Sequence, residues 1–220
     1  MGLTDRLLDI LYPPKCAFCG SLLERSADGI CPKCRETLPW NGGQPDGYDF
    51  VRRLTTPFYY EDPVRDSILA YKFNAAPARG AAFGRLIAED MINRGLLDFD
   101  LLTWVPLSRK RLRRRGYDQA RLLAEAAAKV LGTEAVPVLK KIRDVPAQSG
   151  IDSPEARRAN ISGCYIVTEP NRVAGKRVLI IDDVITSGST VSECARMLML
   201  SGAEEVCAAA VAMPRGGLKK

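Results

Sequence analysis

The most regular pattern of apolar and polar positions begins at residue 178. Residues 178–181 form a continuous apolar run rich in β-branched side chains. Such a run predicts a strand that is buried on both faces of a parallel sheet. Two carboxylates, Asp182 and Asp183, follow where this strand is expected to end, and the five small residues 186–190 come next. The pattern therefore predicts a strand, a polar turn and the start of a helix.

The helix predicted after this turn has recognisable ends. Thr190 and Glu193 have capping-box spacing, and the apolar segment then extends to Leu200. Gly202 is placed where a glycine commonly ends a helix. We expect a strand–turn–helix unit around which the rest of the chain is organised.

Short apolar runs alternate with amphipathic segments from residue 55 onward. They predict helices at 62–73, 80–94 and 119–131, and further strands at 55–60, 101–105, 135–139, 164–168 and 206–211. Strands that alternate with helices imply an α/β fold whose parallel sheet binds ligands at the carboxyl ends of its strands. Residues 140–162 show no clear periodicity and exceed a normal connection, which predicts a functional lid or a mobile loop.

The N-terminal part of the chain has a different pattern. Residues 2–12 have apolar side chains at helical spacing and predict a short amphipathic helix docked on the rest. Peripheral contact of this helix with a membrane surface stays open, although acidic residues on its polar face weigh against it. The predicted organisation is a helix and cysteine module at 1–37, a Gly- and Pro-rich linker at 38–54, an α/β domain at 55–214 and a tail at 215–220.

Composition narrows the class of protein. A chain of 220 residues can form one α/β domain with a small appendage, and its net charge of +6 is modest. No apolar run approaches the length of a transmembrane segment. Asp5, Arg6 and Asp9 interrupt the apolar residues that a signal peptide would need. We therefore expect a cytoplasmic protein.

Four of the seven cysteines form two C-x-x-C pairs. Cys16 and Cys19 are separated by eleven residues from Cys31 and Cys34, a spacing that presents four thiolates to one Zn²⁺ ion. Two disulfides are uncommon in the cytoplasm, and iron–sulfur clusters usually use other spacings. A site with four Cys ligands is closed, so we expect structural zinc. The other three cysteines are expected to be small buried residues: Cys164, Cys194 and Cys207.

The residues after the organising strand suit a ribose 5-phosphate. A glycine-bearing turn at a helix N-terminus offers backbone N–H groups and a favourable dipole to a phosphate. Paired acids suit the vicinal hydroxyls of ribose, or hydrated Mg²⁺. An ordinary turn before a capped helix is the alternative, because short motifs occur by chance. The adjacent Asp182 and Asp183 favour the site, since such a pair is costly unless cations or donors offset it.

Residues 178–190 resemble the phosphoribosyl-diphosphate (PRPP) binding motif of the type I phosphoribosyltransferases, in which an apolar strand and two acids precede T-[ST]-G-x-T. The resemblance implies that Asp182 and Asp183 are catalytic residues that bind the ribose hydroxyls, with Mg²⁺ accompanying PRPP. It also implies a 5-phosphate site made by Thr186, Ser187, Gly188, Ser189 and Thr190.

A basic segment follows the strand predicted at 101–105. Six of the seven residues from 109 to 115 are Arg or Lys. In type I phosphoribosyltransferases the corresponding loop holds pyrophosphate, and Arg109, Lys110 and Arg111 fit that role because Arg binds phosphate oxygens in pairs. A solvated basic loop, or a nucleic-acid contact, is the alternative.

Several motifs together resemble the ComF family of competence-associated, phosphoribosyltransferase-like proteins. They are P-L-S-R-x-R-x-x-x-R-G-Y-D-Q at 106–119, a downstream Gln, R-x-x-N at 157–160 and the two C-x-x-C pairs. The resemblance runs from Cys16 to about Pro214. It implies a type I phosphoribosyltransferase-like sheet flanked by helices, with a zinc-ribbon-like module before it.

The same resemblance identifies particular residues. In the basic segment these are Arg109, Arg111, Arg115, Gly116, Tyr117 and Gln119. Elsewhere they are Tyr71-Lys72-Phe73, Gln148, Asn160 and either Arg157 or Arg158. The charges within the aperiodic segment add Arg143 and the other of these two arginines, so the predicted lid residues are Arg143, Gln148, Arg157, Arg158 and Asn160. Two positions depart from the family pattern: Asp118, where Asn is commoner, and Ser187, where Thr is commoner.

Two functions follow from this resemblance. One is transfer of a phosphoribosyl group from PRPP to an acceptor, with release of pyrophosphate under a closing lid. The other is a binding protein for single-stranded DNA during its uptake, with a helicase-type partner. Tyr117 is the lone candidate for base stacking near the basic segment. No segment of the sequence identifies the acceptor.

Overall fold

The computed structural model describes residues 13–24, 28–43, 47–73, 76–144 and 159–216. The helix predicted at 2–12 and the lid residues Gln148, Arg157 and Arg158 lie outside these ranges. None of the described helices combines the length and the apolar composition needed to cross a bilayer.

Helices and strands alternate along most of the described chain. In order they are α1 (Pro32–Thr37), β1 (Arg53–Thr55), β2 (Phe58–Tyr59), α2 (Val64–Phe73), α3 (Arg79–Asn93), β3 (Leu101–Trp104), α4 (Arg109–Arg115), α5 (Gln119–Leu131), β4 (Leu139–Lys141), β5 (Tyr165–Val167), α6 (Pro170–Val173), β6 (Arg177–Val184), α7 (Ser189–Leu200) and β7 (Glu205–Met213). The predicted α/β fold is confirmed, and the predicted helices at 62–73, 80–94 and 119–131 correspond to α2, α3 and α5.

Five of the described strands form one parallel sheet. The strand order is β1-β7-β6-β3, and β2 pairs with β7 beyond the end of β1. In β6 and β7 the register extends from Arg177 opposite Glu205 to Val184 opposite Ala212. The predicted strand at 178–181 is therefore longer than expected, because it includes Asp182 and Asp183.

Helices cover both faces of this sheet. On one face Leu179 and Ala209 belong to a core shared with α3 and α5, and on the other Ile180 and Ala208 belong to a core shared with α7. Alternate residues of a strand point to opposite faces, which divides β6 and β7 between the two cores. A Cβ on Gly84 would lie 2.5 Å from the Cβ of Ala126, so α3 and α5 approach each other through this glycine.

The strand predicted at 55–60 consists of two short strands. It begins at Arg53 and is interrupted at Pro57, which has no N–H to donate to a ladder. The segment 38–54, predicted as a linker, is packed in its described part. Leu38 and Val51 are buried there, and the Trp40 ring lies 4.5 Å from the ring of Phe58.

A strand does form within the predicted range 164–168, but neither 135–139 nor 164–168 belongs to the parallel sheet, so the predicted placement of these two strands is wrong. Residues 139–141 pair instead with 165–167 in a separate antiparallel ribbon, β4–β5. Ala135 makes only an isolated bridge to Leu102. Pro137 separates the bridge from β4, because a proline cannot donate to a central strand.

Two local predictions near the site are also corrected. The basic segment 109–115 is a helix and not a loop, with Ser108 Oγ accepting from Arg111 N at 3.3 Å and Gly116 ending the helix at φ +81°. Helix α7 begins at Ser189, after Gly188 at φ +73°, so Thr190 is inside the helix and is not its cap. Glu193 accepts from Gly163 N at 2.8 Å instead of closing a capping box.

The predicted tail is anchored at its first residue. The guanidinium of Arg215 donates to Glu61 at 2.8 Å and lies 4.2 Å from the centre of the Tyr59 ring. These contacts fix the chain after β7 against the segment that follows β2. Residues 217–220 lie outside the described ranges.

Candidate functional site

Asp182 and Asp183 lie at the carboxyl end of β6, the central strand that pairs with both β3 and β7. Asp183 N donates to Asp182 Oδ1 at 2.8 Å. The alternation of side chains along a strand directs the two carboxylates to different sides of the sheet. The acids are neighbours in sequence, but each has its own surroundings.

On one side, Asp183 forms an ion pair with Lys72. The distance from Lys72 Nζ to Asp183 Oδ1 is 2.8 Å, and the side chains are only 18% and 14% exposed. Burial disfavours the charged form of Lys72, but the carboxylates of Asp183 and Asp182 outweigh it, so that the pKa of Lys72 lies above its ordinary value. Lys72 comes from the last turn of α2, which is thereby joined to the end of β6.

On the other side, Asp182 faces the core that contains α7. Its register partner is Ala210 in β7. Burial, followed by the charge of Asp183, raises the pKa of Asp182 to about 8. The Asp182 side chain therefore keeps its proton to a higher pH than an ordinary aspartate does, and in the protonated form its carboxyl group can donate a hydrogen bond.

The turn between β6 and α7 wraps the N-terminus of a twelve-residue helix. The first bond of the helix runs from Ser192 N to Gly188 O at 2.8 Å, so the preceding N–H groups are those that a helix leaves without an intrahelical acceptor. Ser187 Oγ and Ser189 Oγ lie 3.0 Å apart, and Ser189 is buried. Hydroxyl groups and backbone donors thus converge here, a few residues from the acids.

The basic helix α4 has two different sides. Arg115, at its last position, points inward, where Nη1 donates to Gln119 Oε1 at 2.8 Å and the guanidinium lies 5.1 Å from the centre of the Phe73 ring. Arg115 Nε and Gln119 Nε2 are buried without a hydrogen-bond partner among the described residues. Burial lowers the pKa of Arg115.

Tyr117 is partly buried and packs against the protein core. Its hydroxyl donates to the carbonyl of Tyr71, and the two rings are 5.8 Å apart. Tyr117 therefore packs against the core around α2, which does not favour its predicted use as a platform for base stacking. The neighbouring Asp118 caps α5 and also accepts from Leu107 N at 3.1 Å.

The other end of α4 lines a basic cleft against β4. We use the term basic cleft for a cavity of about 390 Å³ whose cationic lining residues are Arg109, Lys110, Lys140, Lys141 and Arg143. One carboxylate, Asp144, also lines it and pairs with Arg111 at 4.0 Å. Burial and then the charge of Arg111 lower the pKa of Lys141. Concentrated positive charge of this kind suits phosphate groups.

Two of the predicted lid residues are described. Arg143 donates to the carbonyl of Ser162 and lines the basic cleft. The side chain of Asn160 is half-buried, and its Nδ2 has no partner among the described residues. Neither residue contacts Asp182 or Asp183 in the hydrogen bonds and ion pairs described here.

The four N-terminal cysteines form one cluster, as predicted. Their sulfur atoms all lie within 4.8 Å of one another. Backbone N–H groups of Cys31 and Cys34 donate to Cys16 Sγ and Cys31 Sγ, each at 3.4 Å. Hydrogen bonds from Ser21 lower the pKa of Cys19 to about 6. Thiols that accept such bonds are suited to bind a metal as thiolates, so this donor set fits a structural Zn²⁺ ion.

The described N-terminal module is docked on the α/β domain. The Phe18 ring lies 5.3 Å from that of Phe58 and 5.6 Å from that of Phe83. Ser67 in α2 donates to the carbonyl of Ala17, and Arg85 in α3 pairs with Asp28 at 2.9 Å. The cysteine module and the domain thus share one core.

Two family models match the chain, one in its N-terminal part and one in its C-terminal half. The model described as a double zinc ribbon domain matches residues 7–45, and the model described as a phosphoribosyl transferase domain matches residues 118–220. The first contains the cysteine cluster, and the second contains β6, the polar turn and α7.

Similar proteins cover nearly the whole chain. The DNA utilization protein YhgH of Escherichia coli K12 is 30% identical over 205 residues, which cover 87% of this chain and 86% of that protein. Competence protein F of Haemophilus influenzae is 28% identical and covers 88% of this chain, with 82% of its own length matched. Competence protein ComFC of Streptococcus pneumoniae is also 28% identical, over 87% of this chain and 84% of its own length. The chain belongs to the ComF family.

Solved structures are less similar to this ComF-family chain. Glutamine PRPP amidotransferase from B. subtilis, complexed with ADP and GMP, has 22% identity and a TM-score of 0.44. The match covers 64% of this chain and 30% of that one. Phosphoribosylpyrophosphate synthetase from Mycobacterium smegmatis has a TM-score of 0.38. This chain thus spans about a third or less of these larger proteins.

Two features of the site in this ComF-family chain are not evident from its sequence. Lys72 was identified by resemblance alone, without a role, because nothing in the sequence shows that α2 ends beside β6. Lys140 and Lys141 were placed in an aperiodic segment, where the adjacent pair of lysines was the available signal. Both features depend on contacts between residues that are distant in sequence.

Proposed function

We propose that this chain binds PRPP or a related phosphoribosyl phosphate, with Mg²⁺, at the carboxyl end of β6. The observation that carries the proposal is the convergence at one sheet edge of two acids and a helix N-terminus rich in hydroxyl groups. A phosphate on the backbone donors of α7 and a diol on the acids would occupy the two ends of one ribose 5-phosphate.

Each part of the site has a proposed role. Asp182 and Asp183 form hydrogen bonds with the ribose hydroxyls: an ionised carboxylate accepts them, and a protonated carboxyl group can also donate one. Residues 186–190 bind the 5-phosphate. Arg109, Lys110, Arg111 and Arg115 supply positive charge for pyrophosphate, with Tyr117 and Gln119 positioning the end of α4. The predicted lid residues keep the role of covering the ligand: Arg143, Gln148, Arg157, Arg158 and Asn160.

The proposed reaction is transfer of the phosphoribosyl group to an acceptor, with pyrophosphate leaving from ribose C1. Positive charge near the pyrophosphate stabilises the negative charge that develops on it as it leaves. The protein therefore has to position the reactants and neutralise the leaving group, and it does not have to supply a nucleophilic side chain. The absence of histidine is compatible with such a reaction. Mg²⁺, when bound with PRPP, would neutralise part of the pyrophosphate charge.

Calorimetric titration of PRPP with Mg²⁺ tests the proposal. Wild-type protein is expected to bind, and the Asp182→Asn/Asp183→Asn double variant is expected to lose binding. Asp66→Asn, on the exposed side of α2, is the matched control for loss of carboxylate charge. Equal binding by the wild type and the double variant would contradict the assigned site. Release of pyrophosphate with candidate acceptors would then test catalysis separately.

A second candidate function is binding of single-stranded nucleic acid, and the basic cleft favours it. Its five cationic side chains come from α4, from β4 and from Arg143 just after β4, and none of its lining residues is aromatic. Recognition there would use the phosphate backbone, without stacking of bases. The names of the relatives include DNA utilization, which is compatible with this proposal.

The salt dependence of binding to a fluorescent oligonucleotide tests this second function. Removing a phosphate contact reduces the slope of log K against log salt by about 0.7 for a single strand. We expect Lys140→Gln/Lys141→Gln to reduce the slope by more than Arg113→Gln/Arg114→Gln, since the latter two residues are exposed on α4 but do not line the cleft. Equal slopes for wild type and the cleft variant would contradict the proposal.

Other partners remain predictions of the sequence. No feature of the described residues bears on the helicase-type partner or on peripheral membrane contact. The cytoplasmic location likewise stays a prediction. A pull-down with the cysteine module mutated would test the helicase-type partner, because that module presents an exposed surface around Cys19.

A further inference from the structure

Lys72 lies between the two chemically different parts of the proposed site. Its ammonium contacts Asp183 at 2.8 Å, at the end of β6. The next residue, Phe73, carries the guanidinium of Arg115 over its ring, at the end of the basic helix α4. The last turn of α2 therefore places a cation at the boundary between the acids and the basic segment.

The ion pair between Lys72 and Asp183 is enclosed, which makes it consequential for binding. Both side chains are more than four-fifths buried. Separating such a pair leaves a desolvated charge without a partner, which is costly unless another group takes its place. A ribose hydroxyl that donates to Asp183 has to compete with the ammonium for the same carboxylate.

A ligand can compensate this loss only if it offers Lys72 a new partner. Ribose 5-phosphate with a neutral hydroxyl at C1 offers the ammonium no anion there. A ligand with a phosphate or pyrophosphate at C1 carries anionic oxygens at the end of the ribose that lies away from the 5-phosphate, where the basic helix is expected to receive it.

We propose that Lys72 is a specificity-determining residue that selects ligands with an anionic group at ribose C1. In the free protein its ammonium neutralises Asp183. In the complex the ribose hydroxyls take over Asp183, and the ammonium binds the anion at C1. This inference rests on the proposed function, since it concerns the same site.

A purely structural role for Lys72 makes a different prediction. If the lysine only neutralises Asp183 and holds α2 in place, its removal weakens every ligand of the site alike. If it selects for an anion at C1, its removal weakens PRPP but spares ribose 5-phosphate. The ratio of the two affinities therefore separates the roles.

The experiment compares PRPP with ribose 5-phosphate in calorimetric titrations at constant Mg²⁺. We expect wild type to bind PRPP more tightly, and Lys72→Met to lose affinity for PRPP by about 10- to 100-fold, as for loss of one charge-assisted hydrogen bond. Affinity for ribose 5-phosphate should stay the same or rise. Lys72→Arg should keep most of the preference, and Lys129→Met, an exposed lysine of α5, should change neither affinity.

A further variant guards against misfolding. Lys72→Met/Asp183→Asn removes both charges and leaves no unpaired buried carboxylate, so it should fold even if Lys72→Met does not. Because Asp183 also binds the ribose, this double variant should bind both ligands more weakly than the wild type does, and the ratio of its affinities for PRPP and ribose 5-phosphate should be smaller than the wild-type ratio. Thermal unfolding would confirm that each protein is folded.

The outcomes separate the two proposals. If wild type binds both ligands and the Lys72 variants weaken both by the same factor, the inference is overturned while the proposed function stands. If wild type binds neither ligand, the proposed function is refuted and the inference falls with it. A loss confined to PRPP supports both.

Discussion

The ring of Phe18, between the first two cysteines, packs edge-on against the ring of Phe58 in β2, with centroids 5.3 Å apart and planes at 69°. Phe58 is fully buried, and Phe18 is 9% exposed. A residue of the cysteine module thus completes the core of the α/β domain. Folding of the domain and order in the cysteine cluster are therefore expected to be linked.

Replacing Phe18 tests this link. Phe18→Ala removes a buried ring from the shared core, and we expect it to lower the free energy of unfolding by about 3–5 kcal/mol. Phe50→Ala is the matched control, because Phe50 is 47% exposed and should cost less than about 1 kcal/mol. Urea denaturation measures both. Similar costs for the two variants would show that the module does not complete the core.

Removal of zinc is expected to destabilise the whole described chain. Three of the four clustered cysteines, Cys16, Cys31 and Cys34, belong to the shared core, so loss of the metal should also destabilise the packing around Phe58 and Phe83. Differential scanning calorimetry with and without a chelator should show one transition, lowered by roughly 10 °C. Two separate transitions, with the larger one unchanged by chelation, would contradict this prediction.

Gly84 controls the distance between α3 and α5. A methyl group there would lie 2.5 Å from the Cβ of Ala126 and 2.6 Å from the carbonyl oxygen of Leu123. Although alanine favours helices, Gly84→Ala should destabilise the protein by about 1–3 kcal/mol, because the helices must separate. Gly42→Ala, at a position with open space, should be nearly neutral. Chemical denaturation distinguishes them, and equal midpoints would refute the close approach.

Asp182 should make stability depend on pH. Its pKa in the folded protein is raised to about 8, above the value of about 4 expected in the unfolded chain. Between these values the folded state holds a proton that the unfolded state has released, so this contribution to stability is present at low pH and is lost as pH rises towards 8.

The measurement compares the wild type with Asp182→Asn across this range. The advantage of the wild type over the variant should decrease from pH 5 to pH 8.5, in the absence of ligand. Asp66→Asn, an exposed carboxylate, should show no such change relative to the wild type. A difference between wild type and Asp182→Asn that is constant with pH would mean that Asp182 is ionised throughout.

Local sequence signals predicted the elements that carry them. Asp118 and Gly132 bracket α5 as expected, since a side-chain cap and a left-handed glycine act within a few residues. The cysteine spacing predicted the cluster for the same reason. The strand 178–181 was found because a strand covered on both faces needs an uninterrupted apolar run.

Predictions that depended on tertiary contacts were less successful. The sequence predicts a strand of the parallel sheet at 135–139, but the observed strand is β4 at 139–141, and its partner β5 lies more than twenty residues away in sequence. The basic segment has only one apolar residue, so its sequence shows no helical periodicity and predicts a loop. The structure shows a helix capped by Ser108. The pairing of Lys72 with Asp183 joins residues 111 positions apart, and no local pattern announces it.

Ala210 shows how variation can affect this protein without touching its chemistry. It lies opposite Asp182 in the register of β6 and β7 and has no exposed surface. A larger side chain there has no free space, so it would have to displace either β7 or the helix that covers it. A conservative exchange such as Ala210→Leu, which looks harmless in an alignment, would thus shift the carboxyl group of Asp182. Substitutions that enlarge a buried alanine of β7 are therefore expected to alter the geometry of the site, although no residue of the site is replaced.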